Sequence, residues 1–418
     1  SVPASVMLTT TLLSHGLLVG PPARPSVRRA CGISAAVAAP PEAPSRKVLW
    51  EPKEEVMEQT AMRCFQREVG VDGSYEELWK WSVENSDEFW TRLLDFVEVE
   101  YSGETVPAKQ GDLMPDVTYF PNVELNFAEN MLRHGAPGSP LADAEAVVSV
   151  SEAREDRRWS FSELRDDASR VRAALDALGV RSSDACGAYI ANLGETVVAM
   201  LGATSLGATW TSCSPDFGAQ AVADRFGQVA PKVLFTCDGF VSAGKTTSIV
   251  DKIEELAAAL PSLERVVVVG MTGETPEWSE RLGSLVVGWD DFLASGSAAD
   301  GAAPPLTFTR VPFAHPQFVL YSSGTTGMPK SIAHGCGSPP APRTCPCPSP
   351  CTSSASSPAP SPCAGNLLLQ HAKELLLHSD LRAGDKMLFY TTCGWMMWCD
   401  LSLPSAPRAP PRSSRDPP

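Results

Sequence analysis

Residues 320–330, LYSSGTTGMPK, gather five hydroxyl-bearing side chains, two glycines, a proline and a closing lysine. The preceding QFVL reads as a strand, and Gly324, Thr325, Thr326 and Gly327 cannot continue one. A strand that runs into a Gly/Ser/Thr loop ending on lysine makes a cradle for phosphates. Backbone N–H groups and hydroxyls wrap the oxygens, and the ammonium answers their charge. The same composition would also serve as a surface hairpin turn, so the rest of the chain has to decide.

A second stretch competes for the same chemistry. GFVSAGKT, residues 239–246, satisfies G-x-x-x-x-G-K-[ST], follows the apolar run KVLFT and precedes the helical pattern SIVDKIEELAAAL. Its place in the chain argues against a P-loop, which is expected near the first strand of a domain, whereas three strand–helix segments already precede it. Neither later apolar run offers a clear magnesium-binding acid. RVVVVG ends in Gly270, and LVVGWDD reaches Asp290 only after Gly288 and Trp289. A P-loop NTPase is kept as the weaker reading. Cys345, Cys347 and Cys351 suggest a metal knuckle, but prolines stand between them. Proline favours extended polyproline backbone, which separates ligands that a zinc site must bring together.

These stretches must be positioned by a regular scaffold. SFSELRDDASRVRAALDALG opens with Ser160 and Glu163 at capping-box spacing. Phe161, Leu164, Ala168, Val171, Leu175 and Leu178 then fall on one helical face, and Gly179 closes it. CGAYIAN, ATWTSC, KVLFT and RVVVVG read as short buried strands, with ETVVAMLGATSLG, GAQAVADRFGQV and SIVDKIEELAAAL as the helices between them. That alternation predicts βαβ units and a parallel sheet with helices on both faces. Ligands of such sheets sit beyond the carboxyl ends of the strands, where the loop after QFVL would lie. Upstream, Trp79, Trp81, Phe89 and Trp90 read as the aromatic core of a helical extension.

A length of 418 residues fits two or three domains. The formal charge of −15 excludes a general nucleic-acid binder, which needs a basic face, but leaves room for a local basic pocket. The uncharged residues 196–214 are poor in large aliphatics and broken by glycines, so they read as a buried helix entering a strand and not as a membrane span. Of twelve cysteines, five lie between 336 and 363 and the other seven lack paired spacing, which reads as free thiols in a reducing compartment. Residues 1–41 hold no acid and include Arg24, Arg28 and Arg29 among Ala, Ser and Pro, a composition like that of an organelle transit peptide. Residues 338–364 and the tail from Cys399 are Pro-rich and low in complexity, and read as disordered.

YSSGTTGMPKS resembles the signature loop of the adenylate-forming superfamily, which includes acyl-CoA synthetases, luciferases and peptide-synthetase adenylation domains. SPDFGAQAVADRF, ELWKWSVENSDEFW, NVELNFAENMLRH and TTCGWMMW are similar to its short-chain acyl-CoA synthetases, and the likeness covers about 46–337 and 365–398. The resemblance implies an α/β fold, the large N-terminal domain of the superfamily, with parallel β-sheets flanked by helices. It implies ligation of acetoacetate or a similar short-chain 3-keto acid to CoA through an acyl-adenylate, with ATP, Mg2+ and CoA as the small-molecule partners. Acetate or propionate as the acid is the runner-up, and a non-catalytic nucleotide-binding module is the alternative of another class. By resemblance, Ser322, Ser323, Gly324, Thr325, Thr326 and Gly327 hold the ATP phosphates and Lys330 adds charge, with Lys330, Thr325 and Thr326 nearest the chemistry. Trp395, Met396 and Met397 match the acyl-pocket segment, and Gly244 and Lys245 fall where short-chain relatives contact CoA phosphates.

The chain also departs from the family's pattern. After Trp398 no Tyr-Gly-x-Thr-Glu motif follows, nor the ribose-binding aspartate, the hinge or the small C-terminal domain with its adenylation lysine. Joining AHGCG to GNLLLQHAKELLLH restores the family pattern, so the Pro-rich insert reads as an unspliced intron or a misassigned stretch of the gene. The expected organisation is a leader or transit peptide over 1–45, a helical aromatic extension over 46–135 and the adenylate-forming domain over 136–337. An insert over 338–364, the domain's continuation over 365–398 and a tail over 399–418 complete it. Such a chain is expected to be an inactive fragment with no membrane span, cytoplasmic, or directed to mitochondrion or plastid if the leader is real.

Overall fold

A computed structural model describes residues 49–111, 117–273, 278–322, 327–334 and 364–400. The predicted leader, most of the Pro-rich insert and nearly all of the tail lie outside the described residues. Chain contacts separate 1–51 from 52–418, and every element named below belongs to the second unit.

After a single helical turn (Glu54–Met57) come three longer helices: α1 (Ala61–Glu68), α2 (Tyr75–Glu84) and α3 (Ser86–Phe96). A capping box starts α2, because the Ser74 hydroxyl accepts from the Glu77 N–H while the Glu77 carboxylate accepts from the Ser74 N–H. Phe89 on α3 collects the aromatic residues edge-on, with Phe65, Trp81 and Trp90 at 5.9, 6.3 and 5.0 Å between ring centroids. Trp79 corrects the aromatic-core expectation. Tyr75, Trp79 and Val83 are spaced four apart on α2 and are 56%, 58% and 61% exposed, so they form its outward stripe while Leu78 turns inward.

The main sheet holds seven strands: β1 (Ala185–Tyr189), β2 (Thr209–Cys213), β3 (Val233–Cys237), β4 (Arg265–Val269), β5 (Val286–Gly288), β6 (Phe318–Ser322) and β7 (Lys330–His334). Their order is β5-β4-β3-β1-β2-β6-β7. All neighbours run parallel except β7, which returns antiparallel to β6. Every residue of β1 and β3 is buried although alternate side chains point to opposite faces, so both faces of the sheet are covered.

The helices that cover it are α4 (Phe161–Ala177), α5 (Gly194–Ser205), α6 (Ala219–Phe226), α7 (Val250–Ala259) and α8 (Trp289–Ser295). The Ser160–Glu163 capping box forms as its spacing predicts, and Gly179 at φ +75° follows the helix end. α4 packs on α5 at close range, since a Cβ at Gly202 would overlap the Val171 side chain. Phe235 of β3 anchors α8, with Trp289 and Phe292 at 6.4 and 5.8 Å and Trp210 of β2 at 5.9 Å. No helix among the described residues is long and apolar enough to cross a membrane.

Candidate active site

The chain crosses from β1 to β2 on one side and from β2 to β3 on the other, so the sheet reverses its winding at β1 and β3. Such a switch point opens a crevice outside the carboxyl ends of the strands. Three segments gather at this end: the turn after β6, the hairpin after β3 and the stretch 391–398.

The turn after β6 is bracketed by Ser322 and Lys330, which pair across the β6–β7 hairpin. Ser323, Gly324, Thr325 and Thr326 lie outside the described residues. Gly327 has φ +94°, in the left-handed region where glycine carries no Cβ penalty, and the Lys330 side chain is exposed. The exit of the turn is tied down by Gln228, beyond α6, whose amide donates to the Pro329 carbonyl at 3.0 Å. Its entry is tied down by Tyr321, whose hydroxyl lies 2.9 Å from that of Thr211 on β2. Burial pushes the Tyr321 phenol well above its ordinary pKa, so it keeps its proton.

The stretch 391–398 lies across the ends of β1 and β2. The Cys393 thiol donates to the Ile190 carbonyl at 3.2 Å, and the Cys393 carbonyl accepts from the Ser212 hydroxyl. The Trp398 indole N–H donates to Asn192 at 2.8 Å, and Trp398 is buried. Trp395 and Met397 are instead 67% and 42% exposed, while Met396 is half-buried against the core.

GFVSAGKT is not a P-loop. It forms an antiparallel hairpin, Gly239–Ser242 with Lys245–Ser248, inserted between β3 and α7. Its two-residue turn, Ala243–Gly244, has φ +51° and +73°, the mirror-image turn that tight hairpins favour. A P-loop wraps directly from strand into helix N-terminus, and here the hairpin keeps the two apart. The P-loop NTPase reading is therefore withdrawn. Lys245 is exposed at the hairpin tip, and the Gly244 N–H donates to the Glu152 carboxylate at 2.8 Å.

Sequence reasoning missed four residues of this end. Arg225, on the last turn of α6, places its guanidinium 5.0 Å over Phe217 and 5.8 Å from the Tyr321 ring. Lys252 and Tyr189 hold the loop after β2, both reaching the carbonyls of Pro215 and Phe217 at 2.6–3.2 Å. Asp238 closes β3 and is 2% exposed. Its carboxylate accepts from the N–H groups of Met271 and Thr272 and from the Thr272 hydroxyl. An acid directly after a buried strand was the available signal for Asp238, while the other three contacts span distant segments. The thiols at this end are inert: burial pushes those of Cys213 and Cys237 up to about 12, and the described cysteines are unbridged.

Fold and switch-point crevice agree with what comparison with known proteins shows, and the chain belongs to the AMP-binding enzyme family. The AMP-binding enzyme family matches residues 133–338, and the acetyl-coenzyme A synthetase N-terminus matches 75–131. Among its relatives is an acetoacetyl-coenzyme A synthetase of Rhizobium meliloti, 35% identical over 360 residues, covering 85% of this chain and 49% of the relative. The mouse acetoacetyl-CoA synthetase is 36% identical, with 84% and 48% covered. A malonamoyl-CoA synthetase of Penicillium aethiopicum is 33% identical, with 86% and 46% covered. The solved acetoacetyl-CoA synthetase from Streptomyces lividans superimposes with a TM-score of 0.72 at 34% identity, covering 85% of this chain and 49% of that one. The chain thus spans about half the length of the relatives it matches.

Proposed function

We propose that this chain is the nucleotide- and acyl-binding part of an ATP-dependent acid–CoA ligase acting on acetoacetate or another short acid with a carbonyl at C3. The observation that carries the reading is an adjacency. The glycine- and hydroxyl-rich turn leaves β6 beside β2, and the Trp395–Trp398 segment lies over the ends of β2 and β1. Phosphates and an acyl group would therefore meet at one edge of the sheet. The substrate class is supported by the names of the relatives, since acetoacetate and malonamate share a carboxylate and a C3 carbonyl.

In the proposed reaction a carboxylate oxygen bonds to the α-phosphorus of ATP, and the bond to pyrophosphate breaks. The CoA thiolate then bonds to the acyl carbon of the adenylate, and AMP leaves. Ser322, Ser323, Gly324, Thr325, Thr326 and Gly327 would hold the departing phosphates, and Lys330 would offset their charge. The described part of the turn agrees with that task, with Gly327 at a positive φ and the Lys330 side chain exposed at its exit. Mg2+ would arrive on the nucleotide's phosphates. Among the described residues no three His, Cys, Asp or Glu side chains converge on a metal, so none is assigned to it. Trp395, Met396 and Met397 would line the acyl pocket, where methionine adapts to an irregular gap. Lys245 would meet a phosphate of CoA.

Calorimetric titration of the chain with ATP tests the nucleotide reading. Lys330→Ala should weaken binding by about tenfold, the worth of one charge-assisted phosphate contact. No binding by the unmodified chain, or equal binding by the variant, overturns it. Pyrophosphate release in a ligase that carries this segment at full length tests the acid. Equal or better use of acetate than of acetoacetate would favour the acetate or propionate reading, which the match to the acetyl-coenzyme A synthetase N-terminus supports. ATP binding with no release would favour a non-catalytic module.

A further inference from the structure

The tip of the hairpin after β3 has an anion on it already. Ala243 and Gly244 both have positive φ, so their N–H groups face one way and form a small concave nest for negative charge. The Glu152 carboxylate fills that nest, accepting from Gly244 at 2.8 Å and from Ala243 at 3.3 Å. Glu152 is separated from the tip by 92 residues and reaches it from the loop between two paired strands, Glu145–Ser149 and Arg157–Ser160. That loop is itself anchored. Arg154 donates to the buried Glu195 carboxylate at 2.5 Å, and Arg157 donates to its other oxygen at 3.1 Å. Glu195 stands in the first turn of α5, directly after β1, and is 1% exposed. An unbroken tie therefore runs from the middle of the sheet through Arg154 to Glu152, and from there to the residue just before Lys245.

We infer that Glu152 is a positioning residue: it clamps the Ala243–Gly244 turn and thereby fixes the direction in which Lys245 presents its ammonium. The inference rests on the proposal that Lys245 meets a phosphate of CoA. Two backbone donors are spent on Glu152, so the tip offers its ligand the lysine and not its N–H groups. The clamp removes the entropy that a two-residue turn at an exposed tip would otherwise lose when the ligand binds.

The test titrates the full chain with CoA, with pantetheine, which lacks the phosphates, and with ATP. Lys245→Ala should weaken CoA and spare pantetheine. Glu152→Ala should weaken CoA roughly threefold to tenfold, the loss of two exposed charge-assisted bonds, and spare both pantetheine and ATP. Glu152→Gln keeps an acceptor oxygen without the charge and should fall between. A general loss of structure would move all three ligands together and would overturn the positioning role. So would unchanged CoA affinity in Glu152→Ala, or tighter CoA binding in Glu152→Gln, which would make the carboxylate a competitor of the phosphate. If the unmodified chain bound no CoA, or Lys245→Ala bound it as well as the unmodified chain, the failure would lie in the CoA reading itself.

Discussion

Asp238 should be among the most costly single carboxylates to remove. It follows β3 directly, and its carboxylate accepts from the Met271 N–H at 2.8 Å, the Thr272 N–H at 3.2 Å and the Thr272 hydroxyl at 3.0 Å. Its own backbone is committed too, with its N–H on Val269 and its carbonyl accepting from Ile249 at the base of the hairpin. In Asp238→Ala the Met271 N–H would be stranded where water cannot reach, at about 2 kcal/mol. The part-buried donors of Thr272 can turn to solvent, adding about 1 kcal/mol together. The sum is roughly 3 kcal/mol, a large share of a domain's stability. Asp238→Asn keeps one oxygen for Met271 but sets an amide N–H2 against the Thr272 donors, for about 1–2 kcal/mol. Urea unfolding followed by tryptophan fluorescence and by circular dichroism measures both, provided the two probes coincide and the slope is unchanged. An alanine variant within about 0.5 kcal/mol of the parent would refute the reasoning, as would an asparagine variant worse than alanine.

Gly194→Ala should cost about 1–3 kcal/mol, because the new Cβ would overlap the Trp159 ring, which is held by Asp167 and by the Arg157 guanidinium stacked 4.2 Å away. A melting temperature equal to the parent's would contradict it. Trp398→Phe removes the donor to Asn192 and should speed amide exchange over residues 391–398 while leaving β3 protected, with uniform exchange the contrary result. Burial lowers His134 and His334 from 6.5 to about 4, so each stays neutral in the fold where the unfolded chain would already take up a proton. Their contribution is whole above pH 6.5 and is lost as pH falls towards 4. Allowing for partial solvent screening, unfolding at pH 5 should be easier than at pH 7.5 by about 2 kcal/mol for the pair. A His134→Gln, His334→Gln double variant should flatten that slope, and an unaltered slope would exclude both groups.

What could be read in the sequence was whatever a short window determines. Ser160 and Glu163 announce a capping box because both bonds close within one turn, and GAYIAN reads as a buried strand because an apolar run has few other uses. At 239–248 the same short window left a P-loop open as the weaker reading and did not show the hairpin. Ala243 and Gly244 supply the small residues that either a P-loop or a mirror-image turn requires, and the difference lies in the pairing of Phe240 with Thr247. Trp79 was assigned inward by composition, but its helical phase sets it beside Tyr75 and Val83 on the water side. The ties that shape the candidate site were beyond reach. Glu152 to Gly244, Cys393 to Ile190 and Lys252 to the Phe217 carbonyl each join residues that no local pattern relates.

The strand order also bears on how the chain folds. β1 to β4 are consecutive in sequence and form one contiguous block of the sheet, so a short length of chain suffices to nucleate them. β6 is different: its bond from Val319 to Thr211 closes a loop of 108 residues, and the bond from Cys393 to Ile190 spans 203. Loop closure must be met before such contacts return anything. The transition state should therefore hold β1 to β4 with their helices, while the β6–β7 pair and the 391–398 stretch dock afterwards. Substitutions in those late segments should raise the unfolding rate and leave the folding rate almost untouched.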